Sequence, residues 1–459
     1  HSFPYTTLFR SVLYYFQDIM GVSAVAMGII LLVARIFDAF NDPVMGVIVA
    51  KTQTKWGKFR PWLMIGTITN SVLLFLMFAA PVSFSPQALV AYAAVTYILW
   101  GVTYTMMDIP YWSMIPAFTE GGKERESLTT LARSAAGVGS ALILIFTMKL
   151  VYFFGGLGEE SATNHTIEVN GFRYLALIVA ILFIVFITIT CINIKEKSTV
   201  DMKTPSVGEM FKALVTNDQA MTVVVAIVLI NCAVYITSNL VIYFFKYDFG
   251  GTNWYDSYTL FNTFGGGIQI LAMMLFFPFL RKFFNTIKMF YICIISALFG
   301  YAALLAITII GIGNVYMLFV PGFFIFAANG MLQVLTTIFL ANTVEYGELK
   351  NNRRDESVIF SMQTFVVKLA SGIAAFVAAI SLAVFKLSDK ATTEAEQKID
   401  FSKAVDDTTK MGLRMIMTLI PIVGLFAAMY FFKKKYILTD EKIKEISDTI
   451  KERKQGKES

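Results

Sequence analysis

Apolar residues run through this chain in long blocks separated by short polar loops. Blocks near or beyond the ~20 residues that carry a helix across a bilayer cover Val22 to Ala50, Trp62 to Ala80, Ala88 to Ile115, Leu128 to Phe154, Phe172 to Ile194 and Met221 to Phe245. Others cover Tyr258 to Leu280, Met289 to Gly311, Val315 to Val344, Val358 to Phe385 and Met411 to Phe432. These blocks predict eleven membrane spans. The stub VLYYFQDIMG, Val12 to Gly21, reads as the end of a twelfth that comes first. Composition agrees, since 56% of the 459 residues are hydrophobic and only 15% are charged, a balance foreign to a water-soluble domain.

The polar positions supply the organisation. A charged stretch from Lys195 to Gln219 separates six spans from six, and each half repeats one loop, KERES before the fifth span and RRDES before the eleventh. The expected fold is an all-α polytopic membrane protein of two six-helix bundles with a truncated first helix. Its parts are a bundle over 12–194, a middle loop over 195–220, a second bundle over 221–433 and a tail over 434–459. A substrate site at midplane between two such halves is the architecture of transporters built from repeats. Residues 1–11, HSFPYTTLFRS, lack a helix pattern and are expected to be a non-native segment.

Charge fixes the expected orientation. KTQTKWGKFR, GGKERE, RKFFNTIK, ELKNNRRDE and FFKKKY fall on one side, while VSFSPQ and GIGN carry no Lys or Arg. By the positive-inside bias both termini are predicted cytoplasmic. The net charge of +6 reflects that bias and gives no sign of nucleic-acid binding. Cys191, Cys232 and Cys293 lie within spans at no metal-binding spacing and read as packing residues. Only His1 and His165 are present, which argues against a histidine relay or a His-ligated metal. The sequon Asn164-His165-Thr166 is placed in a loop.

Ionisable residues inside spans imply work, because an Asp or Arg at the centre of a membrane helix costs roughly 2.5–3.5 kcal/mol. RIFDAFNDP carries Arg35, Asp38 and Asp42. The two acids are spaced i, i+4, on one face and about 5–6 Å apart at Cβ, with Asn41 near the same edge. Carboxylate and amide oxygens suit a small hard cation, or one carboxylate could hold a proton. The alternative is a structural ion pair with Arg35, which cannot neutralise both acids. In the fourth span Thr105, Asp108 and Trp112 share a face, and Tyr104 lies four residues before Asp108. Hydroxyl, carboxylate and flat indole suit a sugar, while an interfacial aromatic belt is the alternative for Trp112. Arg133 and Lys368 are the counter-charges of two other long spans, and snorkelling toward an interface is the alternative for Lys368. The tail has Ile443, Ile446 and Ile450 at helical spacing among charges, as a helix on the membrane surface or a solvated one would.

RIFDAFNDPVMG, TKWGKFRPW, LWGVTYTMMDIPYWSMIP, EYGELKNNRRDES and MQTFVVKLASG, in that order, closely resemble the melibiose permease group of the glycoside-pentoside-hexuronide:cation symporters, within the major facilitator superfamily. The resemblance implies the major facilitator fold and cation-coupled uptake of a glycoside by alternating access. It places Asp38, Asp42, Asn41 and Thr105 at the coupling-cation site, with Arg35 as charge partner. Asp108, Tyr104, Trp112 and Arg133 fall at the sugar site, with Lys368, Thr364 and Val367 on the second half's lining. Lys55, Gly57 and Lys58 fall in the gating loop. Gln333 stands where the family places an aromatic, so a stacking contact becomes a hydrogen-bonding amide. The first helix departs as well, because the family's sugar-binding acid on that helix has no counterpart in 1–11.

The resemblance further implies a carrier that works without a cofactor, with Na+ (or H+ or Li+) as coupling ion and a sugar and the lipid bilayer as partners. It implies a monomer in the bacterial inner membrane. A drug exporter of the same fold has no need of the Asp108 and Trp112 pairing. An enzyme would need a motif such as HExxH or a nucleophile paired with His, and none is present.

Overall fold

A computed structural model describes residues 11–118, 139, 142–143, 145–157, 163–194, 208, 212, 215–251, 253–311, 314–351, 356–385 and 400–458. Ten helices among these are long and apolar enough to cross a membrane. They are α1 (Ala24–Lys51), α2 (Arg60–Met77), α3 (Pro86–Phe118), α4 (Asn164–Asn193), α5 (Asp218–Tyr243), α6 (Trp254–Leu271), α7 (Thr286–Ile310), α8 (Phe319–Asn351), α9 (Glu356–Val384) and α10 (Asp407–Lys435), followed by a polar helix α11 (Asp440–Glu458). No strand occurs among the described residues. The span expected over Leu128 to Phe154 lies largely outside them, leaving a shorter apolar helix at Ile145–Gly155.

Helix ends follow from local chemistry. Asn217, Asn285 and Asp406 each accept a hydrogen bond from the backbone N–H three residues on, which caps α5, α7 and α10. Thr163 caps α4 in the same way through Thr166. That cap starts the helix at Asn164, so Asn164-His165-Thr166 forms its first turn, correcting the expected loop. The His165 ring lies 2.9 Å from the Ile19 carbonyl, and buried Glu168 accepts from Tyr14 and Tyr152.

The chain divides into two compact units, His1–Thr204 with Ala375–Ala404 and Pro205–Ala374 with Val405–Ser459. In the first, Met45, Val49, Phe59, Leu63, Met107 and Ile187 pack together, joining α1, α2, α3 and α4. In the second, α5, α7, α8 and α10 meet around Ile227, Phe290, Leu335, Phe339 and Phe432.

Each unit carries one copy of a ten-residue turn, VLYYFQDIMG at 12–21 and VIYFFKYDFG at 241–250. Both widen into π-helix, at Tyr15–Ile19 and Phe244–Phe249, and both end on a glycine, with φ of 70° at Gly21 and 74° at Gly250. Each carries an i→i+5 bond, Met20 N–H to Tyr15 C=O (2.9 Å) in the first and, one position further along the repeat, Gly250 N–H to Phe245 C=O (3.0 Å) in the second. Their aromatic residues are buried in both, except Phe249, which is half-buried.

Along its first turns the tail packs its apolar stripe against the second unit. Leu438 and Ile446 are buried, and Ile443 packs on the second unit's core. Gln219 clamps the entry, donating to the Lys435 carbonyl and accepting from the Ile437 N–H. Asp440 accepts from Arg281 and Thr286, each at 2.5 Å. Burial pushes the Asp440 carboxyl up, but these hydrogen bonds outweigh it and hold it below the usual carboxylate range. The tie is therefore complete at neutral pH and is lost as pH falls through that lowered value.

Candidate functional site

The face of α1 decides where its charges go. Ile29, Val33, Phe37, Phe40 and Val44 form an exposed stripe at three- and four-residue steps, the lipid-facing pattern. Arg35 and Asp38 fall on the opposite, buried face with Met27, Leu31 and Ala34. That face packs on α3 within the first unit.

The packing is in register. Arg35 Nη2 donates to the Tyr97 hydroxyl at 3.0 Å. Asp38 lies against Gly101, where an added Cβ would fall 2.8 Å from Oδ1. Asp42 Oδ1 accepts from the Thr105 hydroxyl at 3.0 Å. The contacts join positions 62 or 63 residues apart at each successive step, so α1 and α3 run in the same direction, meeting once per turn. Glycine at 101 is a requirement of this register, because any side chain there would displace the Asp38 carboxylate.

Charge within the cluster is divided unevenly. Arg35 Nη1 donates to Asp38 Oδ2 at 3.0 Å, so the ion pair considered from the sequence is formed. The same guanidinium lies 6.0 Å from the Tyr97 ring centre. Asp42, one turn on, accepts from the Thr105 hydroxyl. Asn41 is half-buried, and its Nδ2 finds no hydrogen-bond acceptor among the described residues. Among the described residues no three His, Cys, Asp or Glu side chains are placed to hold a metal ion together. The donor set instead offers two carboxylates, an amide and a hydroxyl, hard oxygens of the kind a small monovalent cation accepts.

The neighbouring face of α3 carries the second set. The Tyr104 hydroxyl donates to Asp108 Oδ1 at 3.4 Å. Trp100 lies between Tyr97 and Tyr104, with ring centres 5.8 Å and 5.6 Å away. Asn70 of α2 holds this stretch, donating to the Trp100 carbonyl at 2.9 Å and to the Thr103 hydroxyl at 3.0 Å. Trp112 is on α3, but its side chain lies outside what is described, as does the whole of Arg133. Gln333 on α8 and Thr364, Val367 and Lys368 on α9 belong to the second unit and are half-buried there, with Val367 against its core. Tyr97, Gly101 and Asn70 are members of the site that motif and spacing alone did not single out. Tyr97 and Gly101 stand eight and four residues before Thr105, on the face that carries it.

The loop between α1 and α2 is a tight hairpin. Gly57 has φ 107°, its N–H donates to the Thr54 carbonyl at 3.0 Å, and the Thr54 hydroxyl donates to the Gly57 carbonyl at 2.7 Å. Lys55 is exposed, while Lys58 is buried with its amine 5.6 Å from the Phe59 ring centre. Arg60 Nε donates at 2.8 Å to the Cys191 carbonyl, an orphan acceptor at the end of α4. Arg60 also lies 5.9 Å from the Trp56 ring centre.

Known proteins can be set beside this geometry. The family described as MFS/sugar transport protein matches residues 4–439. A lactose permease of Lactobacillus delbrueckii subsp. bulgaricus is 28% identical over 91% of this chain and 64% of its own length. The chain thus spans just under two thirds of that relative. A protein of Escherichia coli K12 named putative glycoside/cation symporter YagG is 27% identical over 95% of this chain and 88% of its own. Among solved structures, the xylose transporter XylE from E. coli superposes with a TM-score of 0.58 over 97% of this chain and 95% of its own. At 13% identity that likeness is one of fold.

Proposed function

This chain belongs to the MFS/sugar transport protein family, and from that premise we propose that it is a cation-coupled symporter of a glycoside or related sugar that works by alternating access. The observation that carries the reading is the register of α1 on α3, which sets Asp42 against Thr105, next to Tyr104 and one helical turn before Asp108. The cation site is Asp38, Asp42, Asn41 and Thr105. Asp108 and Tyr104 begin the sugar site, and Trp112, Arg133, Gln333, Thr364, Val367 and Lys368 join it by resemblance. The relatives' names, a lactose permease and a glycoside/cation symporter, support sugar as cargo and a cation as its companion.

Coupling has a plain physical form. A cation between Asp38 and Asp42 relieves the repulsion between the two carboxylates and fixes Thr105. Fixing Thr105 fixes the turn of α3 that presents Asp108. Cation binding therefore raises sugar affinity, and linkage requires sugar to raise cation affinity by the same factor. Na+ is the proposed ion, supported by the amide and hydroxyl oxygens that a proton on one carboxylate would not need. The proposed location is a bacterial inner membrane with both termini cytoplasmic, supported by the Lys and Arg bias of the loops.

The test is uptake of labelled glycosides and pentosides into vesicles carrying the chain, under a Na+ gradient, a proton gradient or neither. Accumulation of at least one sugar under the Na+ gradient alone is the expected result. Accumulation under the proton gradient alone would replace Na+ with H+. No uptake of any sugar under either gradient would overturn symport.

A further inference from the structure

The segments RKFFNTIK (281–288) and FFKKKYILTDEK (431–442) lie about 150 residues apart in sequence, yet the fold of the second unit brings them to one place. Asp440 is the knot, accepting from Arg281 and from Thr286. Beneath it the Phe432 ring packs 4.2 Å from Phe290. Asp440 thereby occupies Arg281, while Lys282, Lys288, Lys433, Lys434 and Lys435 remain exposed around the knot.

Apolar side chains stand out among these lysines. Phe283 is 68% exposed, Tyr430 67% and Ile437 44%. The Lys434 amine lies 5.9 Å from the Tyr430 ring centre. Exposed aromatics interleaved with lysine at the end of a membrane helix mark the level where hydrocarbon gives way to headgroups. A basic cluster at that level attracts anionic lipid, by roughly 1 kcal/mol for each Lys or Arg. The lysines of a single loop would serve topology alone. Here two loops converge, with their one tied arginine already neutralised.

We propose that this end of the second unit, formed by 281–288 and 430–437, binds the headgroups of anionic phospholipid in the leaflet that borders it. The lysines hold the phosphate, and Phe283, Tyr430 and Ile437 seat the glycerol and upper acyl region. A nucleic acid would use the same charges but would leave those three side chains unexplained.

The test uses the full chain in detergent with phosphatidylglycerol and phosphatidylcholine added in equal amounts, bound lipid being counted by native mass spectrometry. The wild type is expected to retain phosphatidylglycerol preferentially. Lys433→Gln, Lys434→Gln and Lys435→Gln together should lower that retention on the order of tenfold or more, and the corresponding Lys→Arg set should keep it. Lys282→Gln with Lys288→Gln gives a second, independent reduction if the triple variant does not fold. Equal retention of the two lipids, retention unchanged in the Gln variants that fold, or displacement by millimolar inorganic phosphate would each overturn the proposal. So would displacement by an RNA oligomer.

Discussion

Two arginine–aspartate pairs in this molecule are built in opposite ways. In the second unit Arg414 grips Asp248 with both prongs, Nε to Oδ2 at 2.7 Å and Nη2 to Oδ1 at 2.6 Å. In the first unit Arg35 divides itself, one prong to Asp38 and one to Tyr97, while a second acid stands one turn away against a hydroxyl. A fork-on-fork pair satisfies both members and has no charge left over. The stretch of α1 from Arg35 to Asp42 carries two acids to one base. A closed pair holds structure together, whereas a divided one leaves its carboxylate within reach of a second partner.

The largest expected effect breaks the open pair's surplus. Asp42→Cys should abolish the stimulation of sugar binding by Na+, measured as sugar affinity with and without the ion, and Asp108→Cys should abolish sugar binding itself. Asp248→Asn should leave the stimulation intact. Should stimulation survive Asp42→Cys, the assignment of the cation site is wrong.

Next in size is the closed pair. Arg414→Met strands a buried carboxylate and should destabilise the fold by about 3 kcal/mol, the lower end of the range for breaking a buried pair, because Arg414 keeps part of its surface exposed. Adding Asp248→Leu should restore most of the loss in thermal unfolding. If the double variant is no more stable than Arg414→Met, the pair does more than neutralise charge.

How far the sequence foretold this contrast depends on how local each feature is. The acids of α1 were legible because a four-residue step fixes their face and hydrocarbon makes an idle charge expensive. The spans were legible for a similar reason, since a bilayer demands length and apolarity of every helix that crosses it. The Arg414 and Asp248 pair was not legible. Both sit near helix ends where charges are ordinary, and 166 residues separate them. The docked tail escaped likewise, because Ile443 and Ile446 announce an apolar stripe without naming the surface that covers it. The repeated π-turn, VLYYFQDIMG recurring as VIYFFKYDFG, escaped too, and clustered aromatics give no hint of a widened helix. Its polar content has diverged between the units. Lys246 lies near the Tyr247 and Trp254 rings, whereas the buried amide of Gln17 meets no hydrogen-bond partner among the described residues.

A smaller effect tests why the open pair sits where it does. Gly101→Ala places a methyl 2.8 Å from Asp38 Oδ1, and an overpacked contact of this kind costs about 1–3 kcal/mol. The carboxylate must swing away from α3, so the Na+ concentration giving half-maximal stimulation should rise by roughly tenfold, with sugar binding at saturating Na+ little changed. An equal loss of sugar affinity at every Na+ concentration would show that the glycine serves helix packing in general and not the cation site.

The smallest effect separates Tyr97 as an orienter of Arg35 from Tyr97 as mere filling. Tyr97→Phe keeps the ring, and with it the stacking on Trp100, but removes the hydroxyl that receives Arg35 Nη2. A hydrogen bond to a charged group is worth about 1.5–3 kcal/mol, and Arg35 can recover part of that by turning wholly onto Asp38. A fuller grip on Asp38 would make the first unit's pair resemble the closed pair of the second, and Asp38 would compete less well for the ion. Na+ affinity should therefore fall by a few-fold while thermal stability stays within about 1 kcal/mol of wild type. Loss of stability with Na+ affinity unchanged would assign the hydroxyl to structure alone.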